Sequence, residues 1–552
     1  MTSMDMAIRC GGVFHTPLPF AKKACEHVET IVDASRMQSD HYRLWDMAAG
    51  TGHLELFLPK EFQKYCYLST LDQKDVQHLE QTFPEAAVFQ YDYLNDDVRR
   101  QLADGGRQVT KLPSALQQDL ADPAIQWIIL VNPPYATAQE AGLKGTSKKG
   151  VSDTKIRKQM HAEGLGEVSR ELYVQFLYRI MNEFKHRETL LGLFAPLKYL
   201  VSANYQKFRD RHFHAAFQSG FVFSSENFGG TSKTSHFPVS FILWNLHQRE
   251  RVTTQEMSLD LLDHTTQKIG TKTLKLANRS DFLSRWIKRP RGTRIFPPFS
   301  SALTIKPGNA DPRHRIAEGF LASLMCPGNE LQNQQRTAFL SGPQVSAGAL
   351  SVTPDNFEQA VVVFAARRIP KVSWINHVDQ LMCPNRKPSP QFISDCAVWS
   401  LFDNKNQTVA LRNVVYLDQV YHIVNHFFPF PAEEVQCWLT DTSTFPHLNS
   451  LPDGEETFVN SFAADWLARQ KLSVAARGVL ESAKAVYQCY FANLSVLQRS
   501  GFGIETYDAG WYQIQKVLRE AKLGTDLLVD LKYQHDLLKE KILPQLYDYG
   551  IL

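Results

Sequence analysis

The sequence predicts an α/β fold: a mostly parallel sheet with helices on both faces, then a mixed α+β region and a helical C-terminal subdomain. Three observations lead there. Ile128-Ile129-Leu130-Val131 is an uninterrupted apolar run of the kind found in a strand buried on both faces. It runs into Asn132-Pro133-Pro134-Tyr135, where two consecutive prolines remove two N–H donors and stop the ladder. Upstream, Leu44 to Gly52 reads as a strand entering a glycine turn, and two further strand-like runs end in aspartates. Strand ends that gather polar groups in this way place a site at the carboxyl edge of a parallel sheet.

The bulk properties bound the rest. A chain of 552 residues is too long for one core. The divisions read from composition are 1–250, 251–431 and 432–552. With 43% hydrophobic and 21% charged residues the composition is that of a soluble globular protein. A net charge of +3 means that any nucleic-acid surface has to come from local clustering. There is no apolar run of membrane-spanning length, and Met1–Arg9 lacks the apolar segment of a signal peptide, so no membrane partner and a cytoplasmic location are expected. None of the eight cysteines falls in a C-x-x-C pair, so reduced thiols and no metal are expected.

Along the chain, Phe14-His15-Thr16-Pro17 opens a helical segment from about Ala21 to Val32, with Thr16 as its cap. Asp46-Met47-Ala48-Ala49-Gly50-Thr51-Gly52 is the glycine turn, and a helix running to about Phe57 or beyond is expected after it. Gly50 and Gly52 let a ligand approach the backbone. Glu55 stands where a dinucleotide fingerprint would have its third glycine. Tyr65–Leu71 reads as a second strand ending in Asp72, placed to accept from ribose hydroxyls. Ala87–Gln90 is a third, ending in Tyr91-Asp92-Tyr93. There Asp92 can accept from an exocyclic amino group, and Tyr93 offers a ring face.

Taken together, Asp46 to Gly52, Asp72, Asp92 and Asn-Pro-Pro-Tyr at 132–135 resemble an S-adenosylmethionine-dependent methyltransferase of the adenine-N6 type. His15-Thr16-Pro17 is similar to the extra cofactor motif that precedes the glycine turn in the gamma-ordered DNA adenine methyltransferases. The resemblance covers roughly residues 10–250. It implies a Rossmann-like seven-stranded methyltransferase sheet and S-adenosyl-L-methionine as cofactor, with S-adenosyl-L-homocysteine as product. Thr16, Pro17, Asp46, Ala48, Gly50, Gly52, Asp72, Asp92, Tyr93 and Asn132 would then bind the cofactor, and Asn132, Pro133, Pro134 and Tyr135 would carry catalysis.

Past the corner, a basic loop carries Lys144, Lys148 and Lys149. Ser169–Phe184 has the apolar spacing of an amphipathic helix, Leu190–Ala195 is another buried strand, and Asn204–Phe213 is a charged helix. Phe217–Phe223 and Val239–Trp244 form a closing hairpin. By resemblance, an aromatic of its connection, Phe228 in preference to Phe237, stacks on a flipped base beside Tyr135. From Lys272 to Arg294 eight Lys/Arg (272, 275, 279, 285, 288, 289, 291 and 294) face one acid, Asp281. Arg285, Lys288, Arg289, Arg291 and Arg294, next to Trp286, are the expected phosphate contacts. A second candidate reading surface is Arg367–His377, after a strand-like run Ala360–Ala365. Helices are expected at Ser461–Gln470, Ala475–Leu497, Trp511–Ala521 and Leu527–Leu543.

The chemistry expected of the corner is acceptance of both N6 hydrogens by the Asn132 side-chain oxygen and the Pro133 carbonyl, which frees the amine lone pair. The substrate implied is double-stranded DNA with the target adenine flipped out. No Pro-Asp followed by Glu-x-Lys nuclease pattern is convincing, so the chain reads as a methyltransferase, solitary or with a restriction or defence-system partner protein. The alternatives are an RNA adenine or protein-glutamine N-methyltransferase, and a non-catalytic DNA-binding specificity subunit.

Overall fold

The computed structural model describes residues 15–32, 41–98, 110–135, 154–228, 236–274, 276–292, 316–344, 348–407, 413–416, 418–422, 424–438, 461–493 and 508–552. The chain divides into two compact units, Met1–Arg279 with Ser373–Asp379, and Ser280–Val372 with Gln380–Leu552.

The first unit is built on one mixed sheet. Its strands are β1 (Tyr42–Asp46), β2 (Cys66–Thr70), β3 (Ala87–Gln90), β4 (Gln126–Val131), β5 (Thr189–Pro196), β6 (Ala216–Ser224), β7 (Pro238–Asn245), β8 (Met257–Leu262) and β9 (Lys268–Leu274). They lie in the order β3-β2-β1-β4-β5-β7-β6-β8-β9. The five strands from β3 to β5 are parallel, and β7 runs antiparallel between β5 and β6. The sheet therefore has nine strands where seven were expected. The polar stretch after 246, read as a break, leads instead into a further hairpin, with β8 pairing parallel to β6.

The apolar run of β4 is buried on both faces because successive side chains enter different cores. Trp127, Ile129 and Val131 pack with the helix Leu172–Phe184, while Ile128 and Leu130 pack with the helix Leu18–Ile31. We call the Leu18–Ile31 helix α1, the helix Gln73–Thr82 after β2 α2, and Leu172–Phe184 α3. In α3 burial extends beyond the expected apolar stripe: Gln175 and Arg179 are buried too. The helix expected after the glycine turn is a three-residue 3-10 turn, Glu55–Phe57, with Pro59 close behind it. No α-helical N-terminus is therefore offered at that turn.

The second unit has its own core. Ala360–Ala365, read as a strand, lies inside α4 (Phe357–Arg368), which packs with α5 (Pro390–Leu401). A short apolar run fits a buried helix as well as a strand, and the alanines favour the helix. Four short strands form a sheet in the order β12 (Leu350–Val352), β10 (Ala322–Met325), β11 (Ala338–Leu340), β13 (Asn406–Gln407), and β14 (Asn413–Tyr416) pairs with β15 (Gln419–His422). The C-terminal helices fall close to expectation at Phe462–Leu467, α6 (Val474–Ala492), Trp511–Glu520 and α7 (Thr525–Asp548). Ser461 and Ser473 cap the first two of these with their hydroxyls. No helix among the described residues is long and apolar enough to cross a membrane.

Candidate active site

The carboxyl ends of β1, β2, β3 and β4 open on one cavity of about 790 Å³. Its wall includes Thr16, Asp46, Ala48, Gly50, Asp72, Asp92, Tyr93, Asn132 and Pro134, so most of the residues expected to bind cofactor or carry catalysis converge. Pro17, Gly52, Pro133 and Tyr135 stand outside that wall. Among the described residues the cavity wall has four aspartates, 46, 72, 75 and 92, and neither Lys nor Arg. Such a lining repels a phosphate and favours a ligand that brings positive charge.

The glycine turn is shaped by two left-handed residues, Gly50 at φ +53° and Gly52 at φ +79°. The Gly52 N–H closes the turn on the Ala49 carbonyl at 2.8 Å. A Cβ at Gly52 would lie 2.4 Å from the Phe83 ring and 2.8 Å from Leu79 of α2. Gly52 therefore serves close packing against α2, whereas Gly50 faces the cavity. Asp46 turns its carboxylate back on the turn, accepting from the Ala48 N–H at 2.7 Å.

The segment before α1 is fastened to this turn. His53 contacts the Thr16 carbonyl at 2.9 Å, and His15 contacts the Thr51 hydroxyl at 3.2 Å. Thr16 does not cap α1; Pro17 occupies the cap position and no side chain caps the helix. The buried Thr16 hydroxyl instead accepts from the Asn132 Nδ2 at 2.8 Å. On the other side the Tyr135 hydroxyl donates to the Asn132 Oδ1 at 2.7 Å. Burial pushes the Tyr135 hydroxyl upward, so it remains a donor. The Asn132 amide is thus held at both ends by hydroxyls.

The aspartates at the later strand ends have local duties as well. Asp72 caps α2, accepting from the Lys74 N–H at 2.9 Å. Asp92 accepts from the Leu94 N–H at 3.0 Å and from the Asn95 Nδ2 at 2.8 Å. Tyr93 borders the cavity, and its ring is 1% exposed and packed against protein. Its hydroxyl reaches Glu183 at 3.0 Å, and the Arg179 guanidinium lies 4.4 Å from its centroid.

Arg179, on α3, was invisible in the sequence. It donates to the carbonyls of Tyr93 and Asp96 and to the Tyr91 hydroxyl, and its Nε bonds Glu183 at 2.7 Å. One buried guanidinium therefore holds the whole 91–96 turn. Nothing in the spacing of α3 distinguishes such an arginine from a solvated one.

Around Tyr135 the rings of Tyr173 and Phe228 meet it edge-on, at 6.2 and 6.0 Å between centroids. Phe228 is 2% exposed within the α1-side core, so stacking on a base would require it to leave that core. Phe237 is only half-buried against the same core and is the more available of the two.

The basic residues sort into two kinds. Arg285, Lys288, Arg289 and Arg291 are exposed on the second unit. Lys272 is not available: it is buried and paired with Asp379 at 2.7 Å. Arg367 is likewise buried, bonding Thr337 Oγ1 and the carbonyls of Pro327 and Gly328, and Arg368 pairs with Asp403. The second candidate reading surface is thus spent on structure at its leading arginines. Lys144, Lys148, Lys149 and Arg294 lie outside the described residues.

No protein-family model matches the chain, and no curated protein matches it. Similarity to solved structures is remote. A DrdV–DNA complex shares 15% identity over 49% of this chain and 31% of its own, with a TM-score of 0.35. A modification subunit of a putative type I restriction enzyme from Vibrio vulnificus YJ016 shares 14% identity over 49% of this chain and 50% of its own, at a TM-score of 0.28. The type IIL restriction-modification enzyme MmeI in complex with DNA shares 10% identity over 95% of this chain and 74% of its own, at 0.31. The chain spans a half or less of the lengths of the first two.

Proposed function

We propose that the chain is an S-adenosylmethionine-dependent methyltransferase acting on N6 of a flipped-out adenine in DNA. The observation that carries this reading is the pairing of an aspartate-lined cavity with a clamped Asn132 amide at its rim. Asp46, Asp72, Asp75 and Asp92 suit a nucleoside that bears a sulfonium and an ammonium, and a volume of about 790 Å³ accommodates it. S-adenosylmethionine, when bound, supplies an already activated methyl group.

What the chain contributes is position. Asn132 Oδ1 is assigned as acceptor of one N6 hydrogen, an amide oxygen having two lone pairs. The Pro133 carbonyl offers a second acceptor on a stiff backbone. Together they hold both N6 hydrogens and localise the nitrogen lone pair toward the methyl donor. Thr16 and Tyr135 hold the Asn132 amide at both ends and so fix its plane. Tyr135, and Phe237 in preference to Phe228, are the rings for the extruded base. Arg285, Lys288, Arg289 and Arg291 would neutralise phosphates on the second unit.

Asn132→Ala tests the assignment. Methyl transfer to DNA should fall at least about 100-fold, the scale of losing a preorganised polar group at a reacting centre, while cofactor affinity changes little. Methylation at the wild-type rate would sink the reading.

A further inference from the structure

The glycine turn buries a second carboxyl that the proposed chemistry does not use. Asp46 is 1% exposed and Glu55 2%, and the two buried carboxyls act on each other. No donor from another side chain reaches either Glu55 oxygen among the described residues. Two ionised carboxylates can only accept, so their contact requires a proton between them. Among the described residues no cation acts on either carboxyl to replace it. Toward Glu55, α1 presents Cys25 and β2 presents Cys66, both thiols pushed upward by burial and by Glu55 itself. Among the described residues, the groups that act on Asp46 are the Ala48 N–H and Glu55. Asp46 faces the cavity, whereas Glu55 lies behind it in the α1-side core.

We propose that Asp46 and Glu55 work as one proton-sharing pair, which must hold a single proton, kept on Glu55, to receive the cationic cofactor. The inference rests on reading the cavity as an S-adenosylmethionine site. With one proton the pair carries one negative charge, presented by Asp46 at the cavity wall. With two it is neutral and loses its attraction for the ligand's ammonium. Burial raises Asp46 to about 7, and burial together with the Asp46 charge holds Glu55 well above the ordinary carboxyl range, so the second proton is taken up as the pH falls through about 7. Binding then expels that proton to solvent. Glu55 is a positioning residue in this scheme, acting through Asp46.

The test is the affinity of the full chain for S-adenosylmethionine by titration calorimetry, with no methyl acceptor present. Wild-type affinity should weaken about 20-fold from pH 7.5 to pH 5.5, by linkage to one group titrating near 7. Glu55→Gln keeps a hydrogen bond to Asp46 but removes the shared proton, and its affinity should vary less than about threefold over that range. His15, His53 and Asp75 also line the cavity and are untouched by the substitution, so an equal pH dependence in the variant overturns the pair. Should the variant fail to fold, wild-type titrations at pH 6.5 in buffers of different ionisation enthalpy decide. Release of most of one proton supports the pair, and binding without release overturns it. A wild-type chain that binds no S-adenosylmethionine at any pH overturns the cofactor reading itself.

Discussion

Asn132 owes its orientation to two hydroxyls, one of them far away in sequence and near in space. Thr16→Val would keep the shape of that side chain and remove the acceptor for Asn132 Nδ2. An amide donor left unpaired there costs about 1–3 kcal/mol, and the amide becomes free to turn its nitrogen toward the substrate. The expected result is a drop in kcat of about tenfold or more with the KM for DNA little changed, and recovery in Thr16→Ser. Equal kcat in Thr16→Val and wild type would show that Asn132 needs no clamp. At Gly52 the prediction concerns stability alone. Alanine there combines a left-handed φ with a Cβ pressed on the Phe83 ring, and thermal unfolding should come several degrees earlier.

At the level of elements, α3 is tied to the end of β3 by a single side chain. Arg179 satisfies two carbonyls, a tyrosine hydroxyl and a carboxylate, with the Tyr91 and Tyr93 rings beside it at 5.6 and 4.4 Å. Arg179→Met leaves those carbonyls without a donor, and Arg179→Lys cannot reach them all from one ammonium. Both variants should lose about 3 kcal/mol or more of stability. Their cofactor affinity should suffer more than that of a comparably destabilising core substitution such as Leu177→Ala, because the 91–96 turn borders the cavity. Equal losses in the two would make Arg179 purely structural. This element also marks what the sequence can and cannot convey. The strands β1 to β7, the Asn-Pro-Pro-Tyr corner and the four C-terminal helices were legible, because periodicity and prolines act locally. The 3-10 turn after Gly52, the helix α4 and the two added strands were not. Their states are decided by packing partners, and Ala360–Ala365 fits either period. Thr16 was singled out as a helix cap and as a cofactor residue, but not for its bond to Asn132, 116 residues away.

For the molecule as a whole, the two units carry different parts of the account and different responses to pH. In the first, Asp46 folds with its carboxyl raised to about 7 from an ordinary 3.8, so its contribution to stability is complete below about 4 and is lost as the pH rises through 7. In the second, burial lowers His426 to about 4 from 6.5, so its contribution is present above 6.5 and is lost as the pH falls through 4. Because His15, His27, His212 and His214 of the first unit are lowered by burial and act in the opposite sense, the Asp46 contribution is read as the difference in stability between wild type and Asp46→Asn across pH 7 to pH 4. His426→Gln should flatten the acid limb of the second unit only. The exposed basic residues there make a separate prediction. Removing Lys288, Arg289 and Arg291 together should lower the slope of log affinity for DNA against log salt by about 0.9 for each phosphate that is no longer neutralised. An unchanged slope would move the DNA surface elsewhere.

The most direct measurement of the central claim is transfer of a labelled methyl group from S-adenosylmethionine by the purified chain to duplex DNA, RNA and a protein extract in parallel, with the modified product identified by mass spectrometry. The account predicts label in duplex DNA, recovered as N6-methyladenine and absent with Asn132→Ala. Label confined to protein or RNA, or DNA label that survives in Asn132→Ala, would contradict it.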